Sequence, residues 1–444
     1  MLISRSAQTL LSVGNERMVI PMAEIKPFRG VRFTSRAGEM DDLLCPPYDI
    51  INEQQRSEYL EKNPNNIVKI ELPVAEEGVA DRYQAAGQCL DDWMKNGILA
   101  RDPKPSLYIY EEQYTIHGET KSVRGIVSLV KIEEFEKGVI MPHEFTLSKP
   151  KQDRLNLIQA TQSNISTIYS LYSDEDARTT GKLELLTERK PDVEAAEGKC
   201  IHRLWVVDDP IEITAICRDF EKRHLYIADG HHRYETSLKY RNMCRENGAP
   251  EGAPCDYVMM LLVNMDDNQF SLFPTHRMVN HVENFDVDNF LKGIEVNFCV
   301  DRHQGVSSIK PTLAEYYQQG RKVTAWYVGD DTWYLLKLRS SSNAMEEIMP
   351  DCSKALKNLD ISILHQLVID RVMHSNNEDC VTYTRSFTEA IAAVDEGKCQ
   401  CCFILNPTRI QDIKDIVDAN EKMPQKSTYF YPKPTTGLVM NVYE

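Results

Sequence analysis

Apolar and polar positions recur along the chain with two periods, one typical of helices and one of strands. The helical period is clearest over residues 79–97, where Ala86 and Leu90 share an apolar face and Asn96-Gly97 ends the pattern. The same period predicts helices at 52–63, 211–221, 231–247 and 407–419. Shorter apolar runs predict strands at 107–110, 122–132, 168–172, 204–207, 225–228 and 256–264.

Two segments interrupt this pattern. The segment 139–154 places charged residues around prolines and predicts a loop that leads into a helix, whereas 173–197 is polar and predicts a surface excursion. The mixture of strands and helices predicts an α+β fold with a mixed sheet as its core. The expected units are a disordered or non-native start over 1–21, a core region over 22–281, an inserted α/β subdomain over 282–390, and a C-terminal return to the core over 391–444.

The net charge and the cysteine spacing limit the partners and the cellular compartment that the chain can have. The 444 residues include 51 basic and 67 acidic side chains, a net charge of −16 that argues against nucleic acid and anionic membranes as partners. No run of 18 uncharged apolar residues occurs, so we expect no membrane span. The twelve cysteines are irregularly spaced, and Cys399, Cys401 and Cys402 read as buried strand residues in preference to metal ligands. These features predict a reduced, cytoplasmic protein.

The densest group of reactive side chains follows the strand predicted at 225–228. Asp229-Gly-His-His-Arg233 stands where that strand leads into a helix, and the N-terminus of a helix offers unpaired N–H groups to phosphate. Gly230 permits close approach of the backbone, and Arg233 adds a planar cation. The alternative is an Asp229 that caps the helix beside buried, hydrogen-bonded histidines.

Three further groups repeat the theme of anion-binding residues at the ends of elements. His143-Glu144 precedes a cluster of cations, with Glu144 as a candidate general base; a solvated charged loop is the alternative. The other candidates are Lys149, Lys151, Arg154, Arg277, Lys426, Ser427 and Thr428, together with Tyr48 and Asp49 after a double proline. The Gly-x-x-x-x-Gly-Lys-Ser/Thr, Gly-x-Gly-x-x-Gly, His-Glu-x-x-His and Gly-x-Ser-x-Gly motifs do not occur, which argues against P-loop kinases, Rossmann dehydrogenases, zincins and α/β-hydrolases.

Taken in order, these motifs resemble the bacterial family called domain of unknown function 1015, over residues 22–440. The matching segments are Ile25-Lys-Pro-Phe28, Pro46-Pro-Tyr-Asp49, Asn63-Pro-x-Asn66, His143-Glu144, Lys149-Pro-Lys-x-Asp-Arg154, Ala228–Thr236, Pro274-Thr-His-Arg277 and Met423–Lys433. More distantly, the turn at 230–233 is similar to the signature turn of the ParB/sulfiredoxin-like superfamily, which includes free-serine kinases that use ADP or ATP.

The resemblance implies a phosphate-binding strand-turn-helix and a nucleotide-dependent small-molecule kinase that phosphorylates free serine or a similar hydroxyl metabolite. The resemblance implies phosphate contacts for Gly230, His231, His232 and Arg233. On the kinase hypothesis, Lys149, Lys151, Arg154 and Arg277 are further candidate phosphate ligands, and Glu144, Asp229, His231 and His232 are candidate catalytic residues. The candidate substrate contacts are Tyr48, Asp49, His143, Lys426, Ser427 and Thr428, with Mg²⁺ expected at Asp49 or Glu235. The alternatives are a phosphatase acting on a phosphorylated metabolite and a non-catalytic nucleotide sensor. Sulfiredoxin's catalytic cysteine is replaced here by His231, so its chemistry is not expected.

Overall fold

The computed structural model describes residues 22–75, 81–116, 118–146, 148–267, 269–374 and 380–444, and only the backbone of 148–150. The start predicted over 1–21 lies outside the described residues. The strands are β1 Ile25–Lys26, β2 Val31–Phe33, β3 Leu99–Arg101, β4 Leu107–Ile116, β5 Glu119–Lys131, β6 Ile140–Met141, β7 Ser163–Asn164, β8 Ile168–Tyr172, β9 Val193–Glu197, β10 Cys200–Val207, β11 Leu225–Asp229, β12 Tyr257–Asn264, β13 Ser271–Leu272, β14 His276–Val279, β15 Phe298–Gln304, β16 Val323–Gly329, β17 Thr332–Leu338, β18 Val381–Thr384, β19 Cys401–Ile404, β20 Phe430–Tyr431 and β21 Asn441–Val442. The helices are α1 Glu53–Lys62, α2 Val68–Glu71, α3 Arg82–Lys95, α4 Ser148–Thr161, α5 Arg178–Leu186, α6 Pro210–Phe220, α7 His231–Glu246, α8 Val287–Ile294, α9 Ile309–Gln318, α10 Ala344–Ile348, α11 Lys354–Lys357, α12 Asp360–Leu364, α13 Phe387–Asp395 and α14 Ile410–Asp418.

Nine strands of the described chain form the larger sheet, in the order β6-β11-β8-β12-β5-β4-β10-β9 with β1 paired to β5. The pairs β6–β11 and β8–β12 are parallel and the others are antiparallel, which confirms the predicted mixed sheet. Alternate residues of β4 belong to different cores: Leu107 and Ile109 pack on one face, and Tyr108 and Tyr110 on the other. The sheet is therefore buried on both faces.

A second, antiparallel sheet has the order β15-β17-β16-β19-β14-β18. Its β14 and β19 come from either side of the segment 282–390, and its Trp326 and Phe403 belong to the same core cluster as one face of the larger sheet. Cys401 and Cys402 are buried in β19, in agreement with their prediction as strand residues. The division of the chain into units at 281 and 391 remains a prediction.

Local signals in the sequence account for several elements. Helix α1 begins after Asn52, whose side chain accepts from the N–H of Gln55 while the Gln55 side chain accepts from the N–H of Asn52, which is the reciprocal arrangement of a capping box. Helix α3 occupies the amphipathic segment predicted at 79–97, and β12 is buried along its whole length, as its apolar run indicates.

Two predictions of irregular structure were wrong. The segment 173–197 contains α5 and the edge strand β9, in which Ala195 is the one buried residue, so the strand has too little apolar alternation to be recognised from sequence. The motif 149–154 is not a loop, because α4 begins at Ser148. A proline at position 150 falls in the first turn, where the helix needs no N–H from it.

The candidate site lies at the carboxyl ends of β6 and β11, which are parallel neighbours and end on the same side of the sheet. The segment 423–433 runs across these ends: the N–H of Met423 donates to the His143 carbonyl at 2.7 Å, and β20 pairs with β13. Three stretches far apart in sequence therefore meet at one sheet edge. Over the described residues, no helix has the length and apolar character that a membrane crossing requires.

Candidate functional site

The turn between β11 and α7 depends on Gly230. This residue is the N-cap of α7 and has φ of +93°, a left-handed conformation that suits glycine. A Cβ here would lie 3.0 Å from Nε and Nη2 of Arg233, so glycine lets the arginine fold back over the turn. None of the described side chains caps α7, and Asp229 therefore is not the helix cap. The first N–H groups of α7 remain suited to binding an anion.

Gly230→Ala is expected to destabilise the protein by about 1–2 kcal/mol for the left-handed backbone alone, and by more because the new Cβ displaces Arg233. Gly248→Ala is the matched control, since Gly248 has φ of +89° and open space around its Cβ position. Urea denaturation should show a larger loss for the variant at 230. Equal losses would mean that Arg233 is not held by this contact.

Four side chains next to this turn form a chain of ion pairs. Asp229 binds Arg233 Nη2 through Oδ2 and Lys433 Nζ through Oδ1, both at 2.8 Å, and Lys433 also binds Asp49 Oδ2 at 2.8 Å. Burial alone would raise the pKa of Asp229, but the charges of Lys433 and Arg233 hold it well below its ordinary value. Burial would likewise lower the pKa of Lys433, but the two carboxylates raise it above its ordinary value. Asp229 and Lys433 are therefore both charged at neutral pH.

Arg233 is held on a second side by the backbone. Its Nη1 donates to the Thr167 carbonyl at 2.6 Å, while its Nε is buried without a hydrogen-bond partner among the described residues. Arg233 also lines a cavity of about 50 Å³, together with Glu71 and Arg154. A cavity of this size has room for a few water molecules. The guanidinium is thus fixed in place before any ligand binds.

The two neighbouring histidines lie in different surroundings. His231 is buried, and its Nε2 accepts the backbone N–H of His143 at 3.3 Å. Burial, followed by the charge of His143, lowers the pKa of His231 to about 3, so it is neutral at physiological pH. His232 is half-buried, and burial together with the charge of Lys426 lowers its pKa. The buried, hydrogen-bonded state considered from sequence applies to His231.

Glu144 is joined by hydrogen bonds to the 423–433 segment. Its Oε1 accepts the backbone N–H of Thr428 at 2.8 Å and the Thr428 hydroxyl at 2.9 Å. His143 donates from Nδ1 to the Ile227 carbonyl at 2.6 Å, and its Nε2 lies 2.7 Å from the Thr428 hydroxyl and 3.6 Å from Glu144 Oε1. Burial opposes ionisation of Glu144, but the hydrogen bond and charge of His143 outweigh it and lower the pKa to about 2. Glu144 is therefore an ionised proton acceptor at neutral pH.

Lys151 connects α4 to α7. Its Nζ binds Glu235 Oε2 at 2.8 Å, and the hydroxyl of Thr146 donates to the same oxygen at 2.7 Å. The charges of Lys151 and Glu235 both act on His232, which places this pair beside the first turn of α7. The cation is thus close to the predicted phosphate position, but it is shared with a carboxylate.

Lys426 is the exposed cation of the 423–433 segment. It has a φ of +55°, its charge acts on Asp229 and His232, and its ammonium makes no hydrogen bond or ion pair within the described part of the chain. Ser427 points away from the site, since its hydroxyl donates to the Pro424 carbonyl at 2.6 Å. Of the three predicted substrate contacts at 426–428, the structure thus brings Lys426 and Thr428 to the site.

Two of the predicted phosphate ligands are engaged inside the protein. Arg154 is buried, forms Nε and Nη2 bonds of 2.9 and 2.6 Å to Asp153, and stacks on the Tyr48 ring with 3.9 Å between Cζ and the ring centroid. Burial raises the pKa of Tyr48 to about 12. Arg277 is buried beneath the 423–433 segment. The side chain of Lys149 lies outside the described residues.

The residues predicted to hold Mg²⁺ do not fit a metal site. Asp49 Oδ2 binds Lys433, and Glu235 Oε2 binds Lys151, each at 2.8 Å. In the chain as described, no group of three or more His, Cys, Asp or Glu side chains could hold a metal ion. Carboxylates neutralised by lysine are poor ligands for a hard cation.

Sequence reasoning grouped Lys433 with Lys426 among the anion-binding cations but assigned it no role, whereas in the structure it bridges Asp49 and Asp229. Sequence reasoning missed Thr146, which bonds Glu235. In the sequence Lys433 stands at the end of the matching segment Met423–Lys433, and its flanking prolines are the one local signal of a fixed conformation. Its partners lie 384 positions away at Asp49 and about 200 at Asp229.

A model of the family described as protein of unknown function (DUF1015) matches residues 25–362. No curated protein matches the sequence at a significant level. Solved structures with some likeness include a free serine kinase mutant in complex with AMP, which is 11% identical and has a TM-score of 0.38, the match covering 72% of this chain and 92% of that one.

Two other solved structures are similarly distant. SbnI with a C-terminal truncation, from Staphylococcus aureus, is 11% identical with a TM-score of 0.36 over 71% of this chain and 87% of its own. A conserved hypothetical protein from Pyrococcus furiosus is 13% identical with a TM-score of 0.35 over 69% and 92%. With TM-scores below 0.5, these likenesses carry no conclusion about what this chain binds.

Proposed function

The chain belongs to the family described as protein of unknown function (DUF1015), and we propose that it is a phosphotransferase that binds a nucleotide and phosphorylates a small hydroxyl metabolite. One observation carries the proposal. An ionised carboxylate, Glu144, is fixed by Thr428 and His143 next to the uncapped N-terminus of α7, which His231 joins to the His143 backbone. An anion-binding turn and a proton acceptor thus belong to one hydrogen-bonded unit.

The phosphates of the nucleotide would bind at the first turn of α7. Backbone N–H groups and the positive end of the helix dipole favour negative charge there. Lys426 is exposed and without an ion-pair partner among the described residues, so it can contact the outer phosphate oxygens without first breaking an internal bond. Lys151 lies close by, and Arg233 keeps the turn rigid. A local group of cations in a chain of net charge −16 favours small phosphorylated ligands over long polyanions.

Transfer then requires positioning more than covalent chemistry. The acceptor hydroxyl oxygen attacks the terminal phosphorus, the bond from phosphorus to the bridging oxygen breaks, and the nucleotide leaves with that oxygen. The hydroxyl proton passes to Glu144, which is charged at neutral pH and can accept it. Free serine is one of the small hydroxyl compounds that an acceptor panel should contain.

Nucleotide binding should raise the melting temperature of the wild type with at least one of ATP, ADP, AMP or CTP. A ligand at 100 times its Kd stabilises the folded state by about 2.7 kcal/mol, which a thermal shift detects readily. We expect Lys426→Ala to weaken this shift without changing the unliganded melting temperature, because its ammonium makes no internal ion pair among the described residues. Lys199→Ala is the control, since Lys199 is an exposed lysine in the β9–β10 turn.

A turnover assay separates the proposal from its alternatives. Nucleotide consumption that depends on a small hydroxyl compound supports the phosphotransferase. Phosphate release from a phosphorylated metabolite without nucleotide would instead identify a phosphatase, and binding without any turnover would identify a sensor. The absence of a shift with every nucleotide and with inorganic phosphate would contradict the proposal at its first step.

A further inference from the structure

Arg277 is a buried cation on which the charge of Glu144 acts. It lies on β14 with 0% of its surface exposed, and no carboxylate hydrogen bonds to it among the residues that the structure describes. Burial lowers its pKa to about 10, so it still carries a positive charge at neutral pH. Burying a charge in this way is costly unless its hydrogen bonds are well satisfied. The hydrogen-bond partners of Arg277 should therefore indicate the function of this buried charge.

The guanidinium binds backbone carbonyls of the 423–433 segment. Nη2 donates to the carbonyls of Lys426 at 3.1 Å and Gln425 at 3.4 Å, and Nη1 donates to the Thr275 carbonyl. Lys426 has a φ of +55°, which is unfavourable for a residue with a Cβ and needs support from its surroundings. Two residues later, Thr428 binds Glu144 through its N–H and its hydroxyl.

The other face of the guanidinium is anchored in the second sheet and its helices. Nε donates to His365 Nε2 at 3.4 Å, and Cζ lies 5.3 Å from the centroid of the Tyr383 ring on β18. Burial, together with the charge of Arg277, lowers the pKa of His365 to about 3, so its nitrogen remains an acceptor at neutral pH. His365 begins a π-helical turn, His365–Ile369, a rare conformation that is frequent at functional sites.

We infer that Arg277 is a positioning residue, which fixes the backbone at 425–426 so that Thr428 holds Glu144 in place. The second sheet thereby sets the geometry of a site whose other parts come from the larger sheet. This role differs from the phosphate contact predicted for Arg277 from the sequence, because the side chain has no exposed surface with which to meet a ligand. The kinetic part of the inference rests on the proposed function; the structural part does not.

Arg277→Met and Arg277→Lys test the inference with two independent measurements. Hydrogen exchange of the unliganded protein should show faster exchange across 425–430 in the methionine variant, with partial recovery in the lysine variant, whose ammonium can still donate to a carbonyl. In the turnover assay we expect kcat to fall about tenfold for Arg277→Met, while the nucleotide-induced thermal shift weakens no more than it does in Lys426→Ala, because the freed segment carries the Lys426 ammonium.

A double-mutant cycle with Thr428→Val tests whether Arg277 affects kcat through Thr428. If Arg277 acts through Thr428, the double variant should lose little more kcat than the worse single variant, whereas independent effects would multiply. Loss of the nucleotide-induced shift with unchanged exchange at 425–430 would overturn the inference and favour a phosphate contact. Should the wild type show no turnover at all, the proposed function fails, while the exchange measurement still decides whether Arg277 holds the segment.

Discussion

Glu144→Gln should lower kcat for nucleotide-dependent phosphoryl transfer by about 10²–10⁴-fold, the usual contribution of a positioned general base. The amide keeps an oxygen that can accept from the Thr428 N–H, so the segment 423–433 should stay in place. The loss should therefore fall on kcat, and the nucleotide-induced rise in melting temperature should remain. Steady-state kinetics with the best acceptor, together with thermal shifts, measure the two effects separately.

Glu119→Gln serves as the control, since Glu119 is exposed at the end of the β4–β5 hairpin and should behave like the wild type. Acid titration gives a second signature. The pKa of Glu144 lies at about 2 in the folded protein, below its ordinary value of 4.5, so its stabilising contribution is present at neutral pH and fades as the pH falls from about 5 towards 2. The stability difference between wild type and variant should shrink over that range. Activity retained within twofold in Glu144→Gln would exclude this residue as the proton acceptor.

The turn at 229–233 could be predicted from the sequence because its determinants are local. A buried strand, a glycine and a helix-forming segment follow one another directly, and Gly230 adopts the left-handed backbone that only glycine adopts easily. Glu144 was also recognised as a candidate base, since it adjoins His143 and a cluster of cations. In the turn at 229–233 and at Glu144, the residues that indicate a site are neighbours in the sequence.

The burial and the bonding partners of Arg154, Arg277 and Lys433 could not be predicted in the same way. Arg154 looked like a phosphate ligand, but its neighbour Asp153 and the distant Tyr48 ring occupy its guanidinium. Sequence shows that a cation is present, whereas burial and partners depend on contacts between segments hundreds of residues apart. The bond from Thr428 to Glu144 spans 284 positions, and no periodicity or motif spacing encodes such a pair.

The buried ion pairs of Lys433 should make the largest single contribution to the stability of the site. Lys433 is 8% exposed and the Asp229 carboxylate that it binds is 19% exposed, so Lys433→Met would leave Asp229 with one fewer cation in a poorly solvated place. The other partner of Lys433, Asp49, is more exposed. Removing one partner of a buried pair costs about 3–5 kcal/mol. Urea denaturation at neutral pH should show a loss of this size, and nucleotide binding should weaken because the turn at 229–233 loses its support.

Lys104→Met is the matched control for this variant. Lys104 Nζ binds Asp208 at the same 2.8 Å, but both side chains are more than half exposed, and such pairs contribute little to stability. The two variants therefore share residue type and distance, and differ in burial and in the number of carboxylates that the lysine binds. A similar loss in both would mean that burial does not amplify the pairing of Lys433.

The source of the loss can be tested by removing charge and by changing pH. If the stranded carboxylates are responsible, Asp49→Asn in the Lys433→Met background should recover part of the lost stability. Asp229 has a pKa well below its ordinary value in the wild type because of Lys433 and Arg233, so its contribution exists above about pH 4 and is lost as the pH falls further. Without Lys433, Asp229 takes up a proton at a higher pH, and the cost of burying its unpaired charge then disappears. The free energies of unfolding of the wild type and of Lys433→Met should therefore converge in acid. A constant difference between pH 7 and pH 3 would assign the loss to packing of the lysine stem instead of to its charge.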